Sequence, residues 1–433
     1  MNRFRSSARR TFRSLHASRN FRLYLFGQAI SASGTWINAT ATSWLVLTLT
    51  HSGVALGINV ALLFAPILIF GAWGGVLADK FDKRRILVWT QTAFAVTAFA
   101  MFIVAAVFPR LWMVYLLSTV AGFITAIDNP TRQSFYVEIV GQKSVMNAVS
   151  LNSAAFTGAR ILGPAIAGLL IVTFHSLSVC FLVDGVSYLA VITALLLMRT
   201  SEMYPQERTT REHGHLKAGI LYVWRTDELR RPLILMTGVF TLSFNFSVLL
   251  PLVANVTFRG NADALGLLSA MVGVGSLLGA LTVTNRDRTP TMHRLAVFSV
   301  ATGGALALSG VAPTLPLAAA AMVPVGFTVM AFMITGNTML QLHARPQARG
   351  RVMALYGVVF LGSTPIGAPI AGWIGQRFST GAGLIGGGAA AVVFGLIVLW
   401  QLRRPIAVDT ITTPELTSAP EQVPGAENAS LTA

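Results

Sequence analysis

Twelve separate runs of apolar residues, most of them 20 or more long, constrain this chain more than any other feature. They cover roughly 24–49, 53–78, 86–108, 111–131, 145–172, 177–198, 232–257, 262–284, 295–312, 315–341, 352–376 and 381–402. A run of that length crosses about 30 Å of hydrocarbon as a helix. Only 11% of the 433 residues are charged, where a soluble domain carries about 25%. In lipid the backbone must satisfy its own hydrogen bonds, which leaves helices or a closed barrel. The alternating ten-residue pattern of a barrel is absent. The expectation is an all-α polytopic membrane protein with twelve transmembrane helices.

An even number of spans puts both termini on one side, and charge says which. Of the 32 Lys and Arg residues, 28 fall in one alternating set of loops with the two termini; Arg110, Arg259 and Arg377 fall in the other set, and Arg160 lies inside a span. Lys and Arg accumulate on the cytoplasmic side. The net charge of +16 is therefore read as a topology signal, and no nucleic-acid partner is expected. The expected location is a bacterial inner (cell) membrane, crossed many times, with both termini cytoplasmic and the lipid bilayer as partner.

The expected divisions are a basic segment 1–20, a six-helix bundle 21–198, a cytoplasmic loop 199–231, a second six-helix bundle 232–402 and a disordered tail 403–433. The amphipathic piece 216–225 within the loop is expected to lie on the inner surface. Residues 1–20 have no apolar core before a cleavage site, so no cleaved signal peptide is expected. The single Cys180 forms no internal disulfide. No phosphate-binding GxxxxGK[ST] occurs, and neither a metal-ligand cluster nor a nucleophile–base pair stands out, so no cofactor, no metal and no enzyme activity are expected.

The halves also resemble each other. An offset of 204 aligns Gly75 with Gly279, Gly122-Phe123 with Gly326-Phe327, and GPAIAG (163–168) with GAPIAG (367–372). Agreement of three sites on one offset points to an internal repeat, as transporters commonly have.

Residues 74–85, GGVLADKFDKRR, link spans two and three. A solvated, positive loop accounts for them, but Gly75 one turn before Asp79 also leaves bare backbone for another helix to approach. Asp79 could then oppose that helix's positive N-terminus. In Gly75, Asp79, Lys80, Lys83 and Arg84 the stretch resembles the loop motif of the major facilitator superfamily, with Asp82 where that family usually has Gly. The resemblance implies a second acidic residue at the end of helix four, matched by Asp128 with Arg132 one turn on. Together these groups are expected to latch a cytoplasmic gate against the start of helix eleven. In span five, Gly158, Ala159, Gly163, Pro164, Ala167 and Gly168 allow a kink and close packing. They are similar to the superfamily's exporter-associated motif, which implies that Gly163, Pro164 and Gly168 shape an outer seal.

Arg160 and Asp184 are the charges placed well within spans. Their positions put both in the outer half, at compatible depths on consecutive helices. Each alone costs about 2.5–3.5 kcal/mol on insertion scales, which pairing would offset. Two readings stay open: a static ion pair, or a proton site in which Asp184 titrates as Arg160 is engaged or displaced. The polar positions Gln28, Trp36, Asn38, Asn245 and Asn337 are candidate cavity residues suited to a bulky amphiphile.

FRLYLFGQAISASGTWI, IDNPTRQSFYVEIV, GARILGPAIAG and RGRVMALYG resemble the bacterial branch of the superfamily that includes the enterobactin exporter and related drug efflux proteins. This implies two pseudo-symmetric six-helix bundles around a central cavity. It also implies a secondary active transporter exporting a small amphiphilic compound, drug-like or a siderophore, in exchange for protons. The alternatives are a metabolite importer or uniporter, and a non-transporting sensor or assembly subunit.

Overall fold

The computed structural model describes residues 18–204, 215–260, 262–284, 289–345 and 348–403. The expected head before Ser18, residues 205–214 of the expected loop and the tail after Arg403 lie outside the described residues. Among the described residues the chain is helical, without strands. The first six helices are α1 (Arg19–Thr50), α2 (Gly53–Lys80), α3 (Lys83–Ala106), α4 (Leu111–Val140), α5 (Val145–Phe174) and α6 (Ser178–Leu196). A short α7 (His215–Arg225) follows, then α8 (Asp227–Ser243), α9 (Phe246–Leu252), α10 (Ala262–Thr284), α11 (Met292–Gly310) and α12 (Leu315–His343). The last three are α13 (Arg349–Gly362), α14 (Thr364–Arg377) and α15 (Thr380–Arg403).

α8, α9 and a π-helical turn over Val253–Thr257 form one rod, and α13 with α14 forms another, so that α7 lies outside a set of twelve rods. Among the described residues ten rods are long and apolar enough to cross a membrane; α1 and α11 are not among them. The reason is polar residues that turn inward. α1 buries Gln28, Ser31, Thr40, Thr42 and Ser43, and α11 buries Ser299, Thr302 and Ser309.

Some expected loops are helix. α4 continues to Val140 and leaves only Gly141 and a 3-10 turn at Gln142–Ser144 where a loop over 132–144 was expected. Polar side chains on that continuation find partners: Arg132 pairs with Asp128 and Glu138 with Lys83. The rod containing α8 and α9 breaks at Phe244 and Asn245. There the Asn245 Nδ2 donates to the Thr241 carbonyl at 2.8 Å, standing in for the backbone donor the break removes.

Tight turns force neighbouring rods antiparallel. Only His51 and Ser52 separate α1 from α2, with Ser52 capping α2 through the Ala55 N–H. Phe81 and Asp82 separate α2 from α3. Asp82 caps α3 through the Arg85 N–H at an ordinary φ of −61°, so the turn needs no glycine.

In the first half, α1 packs on α5 and α6, and α2 on α4; in the second, α10 packs on α12, and α11 on α12 and α15. The repeat is visible in the contacts. A Cβ on Gly122 would strike the Leu63 carbonyl of α2, and one on its mate Gly326 would strike the Val272 carbonyl of α10. Gly75 and Gly279 do not correspond in this way: Gly279 faces Phe327 of α12, whereas Gly75 faces open space.

The halves meet through two crossed pairs, α2 with α14 and α5 with α10. Both pairs touch toward the end opposite the basic loops. A Cβ on Gly53 would lie 2.7 Å from the Gly372 carbonyl, one on Gly57 2.6 Å from the Ala368 carbonyl, and one on Gly266 3.1 Å from the Pro164 carbonyl. Gln376 Oε1 completes that seam by accepting from Ser52 Oγ at 2.8 Å and from the Val54 N–H at 3.1 Å. At the basic end Gly71, Gly75, Gly350 and Gly357 have nothing within Cβ reach. The close backbone contacts between the halves at Gly53, Gly57 and Gly266 lie toward the far end; α2 also touches α13, where Gly362 faces Leu68.

α7 lies against the second half through Val223 and Tyr222, while Ile220, Leu221 and Trp224 stay exposed. That is the pattern of a helix lying on a membrane surface. Trp73, Trp89, Trp112, Trp373 and Trp400 are also exposed, most of them near rod ends, where indoles favour the lipid–water boundary.

Candidate functional site

Between the halves lies a cavity of about 150 Å³. Trp36, Thr40 and Ser43 of α1 and Phe156, Arg160 and Pro164 of α5 line one side; Phe246, Ser247 and Leu250 of α9, with Leu265, Ser269 and Ser276 of α10, line the other. A second chamber of about 160 Å³ lies within the first half, lined by Gln28, Asn129, Arg132, Gln133, Tyr136, Asn152 and Phe156. Phe156 lines both chambers. It meets Trp36 edge-to-face at 5.9 Å, so the two rings form the partition. One chamber is mainly apolar with hydroxyls; the other is amide- and guanidinium-lined.

Arg160 is placed by packing on α1. A Cβ on Gly163 would strike the Trp36 Cβ, so the two backbones run close beside this indole. The Arg160 guanidinium then lies over the Trp36 ring, 5.3 Å from its centroid. A cation on an aromatic face gains about 0.5–2 kcal/mol, less than the insertion cost of an intramembrane charge.

The expected contact between Arg160 and Asp184 is not made: among the described residues no ion pair joins them. α1 stands between them. Arg160 sits on Trp36, whereas Asp184 Oδ2 accepts from Asn38 Nδ2 at 2.7 Å. Two residues along a helix turn the side chain by about 200°, so the charges lie on opposite faces of α1. Their depths are compatible, with Arg160 at the middle of α5, Asp184 in the far-end half of α6, and Trp36 and Asn38 just past the middle of the 32-residue α1.

The expected latch residues divide in the same way. Asp128 is 2% exposed and accepts from Thr90 Oγ1 at 2.7 Å and Gln91 Nε2 at 2.9 Å. It pairs with Arg132, whose Nη1 donates to Gln28 Oε1 at 2.5 Å. Lys83 pairs with Glu138 at 2.5 Å, and Arg84 donates to the carbonyls of Leu195 and Leu196, at the end of α6. Lys80 is exposed, and the side chain of Asp79 is outside the described ones. None of the described side chains in this set bonds to α13, against whose start the latch was expected. The described charges of this set are held within their own half. Close approach falls to Gly74, not Gly75: a Cβ on Gly74 would strike the Ala126 carbonyl.

Of the expected seal, Gly163 packs on α1 within its own half, Gly168 is buried, and the Pro164 carbonyl faces Gly266 across the halves. Of the expected cavity residues, Gln28 and Trp36 line the two chambers. Asn38 is held by Asp184, Asn245 sits at the helix break, and Asn337 accepts from Gln341 at 2.6 Å; none of these three lines either chamber.

Thr90, Gln91, Glu138, Phe156, Gly53, Gly57 and Gln376 were missed. Each is ordinary in composition and gains its role from a partner on another rod. The 204-residue offset did carry one usable signal, because it maps Pro164's motif onto 367–372, the other half of the seam.

Asp128→Ala leaves Arg132 with Gln28 in place of a carboxylate. Breaking a buried pair on one side costs about 3 kcal/mol, so a clearly lower unfolding temperature in detergent is expected. An unchanged melting curve would refute the structural role.

The transmembrane secretion effector family matches residues 12–423. The staphyloferrin A transporter of Staphylococcus aureus is 29% identical over 253 residues, covering 58% of this chain and 63% of that relative, just under two thirds of its length. The multidrug efflux pump Tap of Mycolicibacterium fortuitum is 26% identical over 365 residues, covering 81% of this chain and 88% of the pump. The enterobactin exporter EntS of Escherichia coli O1:K1 / APEC is 24% identical over 396 residues, covering 89% and 92%. Solved structures share the fold. The nucleoside transporter NupG superposes with a TM-score of 0.69 at 14% identity, over 89% of this chain and 100% of that one. A bacterial homolog of the human lysosomal transporter Spinster, in an inward-facing and unoccupied conformation, does so with 0.69 at 14% identity, over 88% and 95%. Two crossed helix pairs around a cavity, a repeat visible in sequence and contacts, and a family match over most of its length all agree: this chain is a multi-pass membrane transporter, not an enzyme, and belongs to the transmembrane secretion effectors of the major facilitator superfamily.

Proposed function

We propose that the protein exports a small amphiphilic compound, drug-like or a siderophore, by alternating access and in exchange for protons. One observation carries the reading: the closest backbone contacts between the halves, Gly53 with Gly372 among them, lie at the end opposite the basic loops. In this reading the basic loops mark the cytoplasmic side, both termini lie there, the seam shuts the cavity off from the outside, and cargo is loaded from within. Relatives that are siderophore and multidrug transporters support the cargo class.

In this reading the far-end seam opens as the basic end closes. Gly75 and the neighbouring basic turn supply the free backbone and charge that receive α13 in the closed state. Asp184, off the cargo path behind α1, exchanges the proton. Gly163 keeps α1 and α5 moving as a unit, so that cargo beside Trp36 and the carboxyl beside Asn38 act on one rod.

Inside-out vesicles test this. With an acidic interior and a panel of fluorescent amphiphiles, at least one probe is expected to accumulate, and to leave when the gradient is collapsed. Accumulation that ignores the gradient removes proton exchange. Entry only down a probe's own gradient makes the protein an importer or uniporter, and retention of no probe with binding intact favours a sensor.

A further inference from the structure

We infer that the chamber between the halves recognises a carboxylate on its cargo, with Arg160 as the anchor. This rests on the export reading for the use of the cavity and adds the chemistry of what enters it.

Arg160 lines the chamber with its guanidinium over Trp36. Among the described residues no carboxylate lines this space, and none pairs with Arg160. A charge placed in a membrane without a partner marks a binding or transfer function by default. Trp36 covers a face of the guanidinium and leaves its edge, the fork of N–H groups that matches a carboxylate's two oxygens. Further donors stand nearby. The Trp36 indole N–H is buried without an acceptor. Ser247 and Ser269, from the other half, line the same chamber and have no hydrogen bond within the protein among those described. Thr40 and Ser43 differ, since their hydroxyls donate back to the α1 carbonyls of Trp36 and Ala39. A carboxylate held by Arg160 on one half and by serine hydroxyls on the other bridges the two bodies that must move. Leu250, Leu265 and Phe156 give the rest of the molecule an apolar, aromatic bed. The cargo so described is an amphiphile with an aromatic or aliphatic body and a carboxylate at one end.

Equilibrium binding to the purified full chain in nanodiscs tests this without requiring transport. Three probes share one ring system: 1-naphthaleneacetate, 2-(1-naphthyl)ethanol and (1-naphthylmethyl)trimethylammonium. The carboxylate is expected to bind about tenfold tighter than the alcohol, the gain of one charge-assisted pair, and the ammonium weakest. Arg160→Gln is expected to erase the difference between carboxylate and alcohol, and Arg160→Lys to keep part of it. Ser247→Ala with Ser269→Ala is expected to weaken the carboxylate alone. Equal binding of carboxylate and alcohol to the unsubstituted protein overturns the anchor whatever the variants do. So does a preference for the ammonium, a carboxylate preference that survives in Arg160→Gln, or no binding of the carboxylate. Binding of all three probes alike leaves the export reading standing, and only the vesicle experiment decides that.

Discussion

Asp184→Asn is expected to reduce gradient-driven export to the level of protein-free vesicles while the protein still inserts and folds. Asp184 is 1% exposed. One of its oxygens accepts from Asn38 at 2.7 Å, and the other is buried with no partner. Gly34 makes the room: a Cβ there would lie 2.8 Å from that second oxygen and would strike Ser187 Oγ. Among the described residues no cation pairs with this carboxyl; Arg160 is held on the other face of α1 by Trp36. An intramembrane carboxyl faced by neutral donors, Asn38 and Tyr188, is suited to changing its charge, and asparagine has the same size and cannot. Asparagine still offers an oxygen to Asn38, so packing is conserved and a structural role would tolerate it. Export equal to that of the unsubstituted protein, measured with the same imposed gradient, returns Asp184 to structure. Loss of gradient-driven export with counterflow of preloaded probe retained assigns it to coupling.

Gly372→Leu is the second large effect. In the sealed state a Cβ at Gly372 would strike the Gly53 carbonyl, and carbonyl backbone cannot rotate away as a side chain can. Overpacking costs about 1–3 kcal/mol, which lowers the population of the sealed state about 5- to 150-fold against the open one. The polar contacts of the seam are of the same order: Gln376 contributes two hydrogen bonds, each worth about 1 kcal/mol net. Spin labels at His51 and Phe378, both exposed near the far end, are expected to move apart, and export is expected to fall with them. An unchanged distance distribution with normal export would show that the seam does not gate. Because Gly53 is the reciprocal contact, Gly53→Leu is expected to act in the same direction.

Some of this was legible beforehand. Apolar run length predicted the rods because a helix is the only open segment that satisfies its own backbone in lipid. The offset between GPAIAG and GAPIAG marked α5 and α14, and these two rods form the crossed contacts with α10 and α2. What spacing could not supply was the face of each side chain. Arg160 and Asp184 have the right depth to pair and do not, since α1 passes between them and takes one on Trp36 and the other on Asn38. Gly75 fits a motif, yet its neighbour Gly74 makes the contact in this conformation.

Apolar run length and the 204-residue offset were enough for the membrane, the rods and the repeat, because each is a sum over many residues along one helix or loop. Packing between rods settles which glycines touch, how Asp128 is satisfied and where the Arg160 guanidinium faces. Those depend on pairs of residues from different rods, and a rotation of one rod by a single residue's 100° would exchange every such partner while leaving the sequence pattern unchanged.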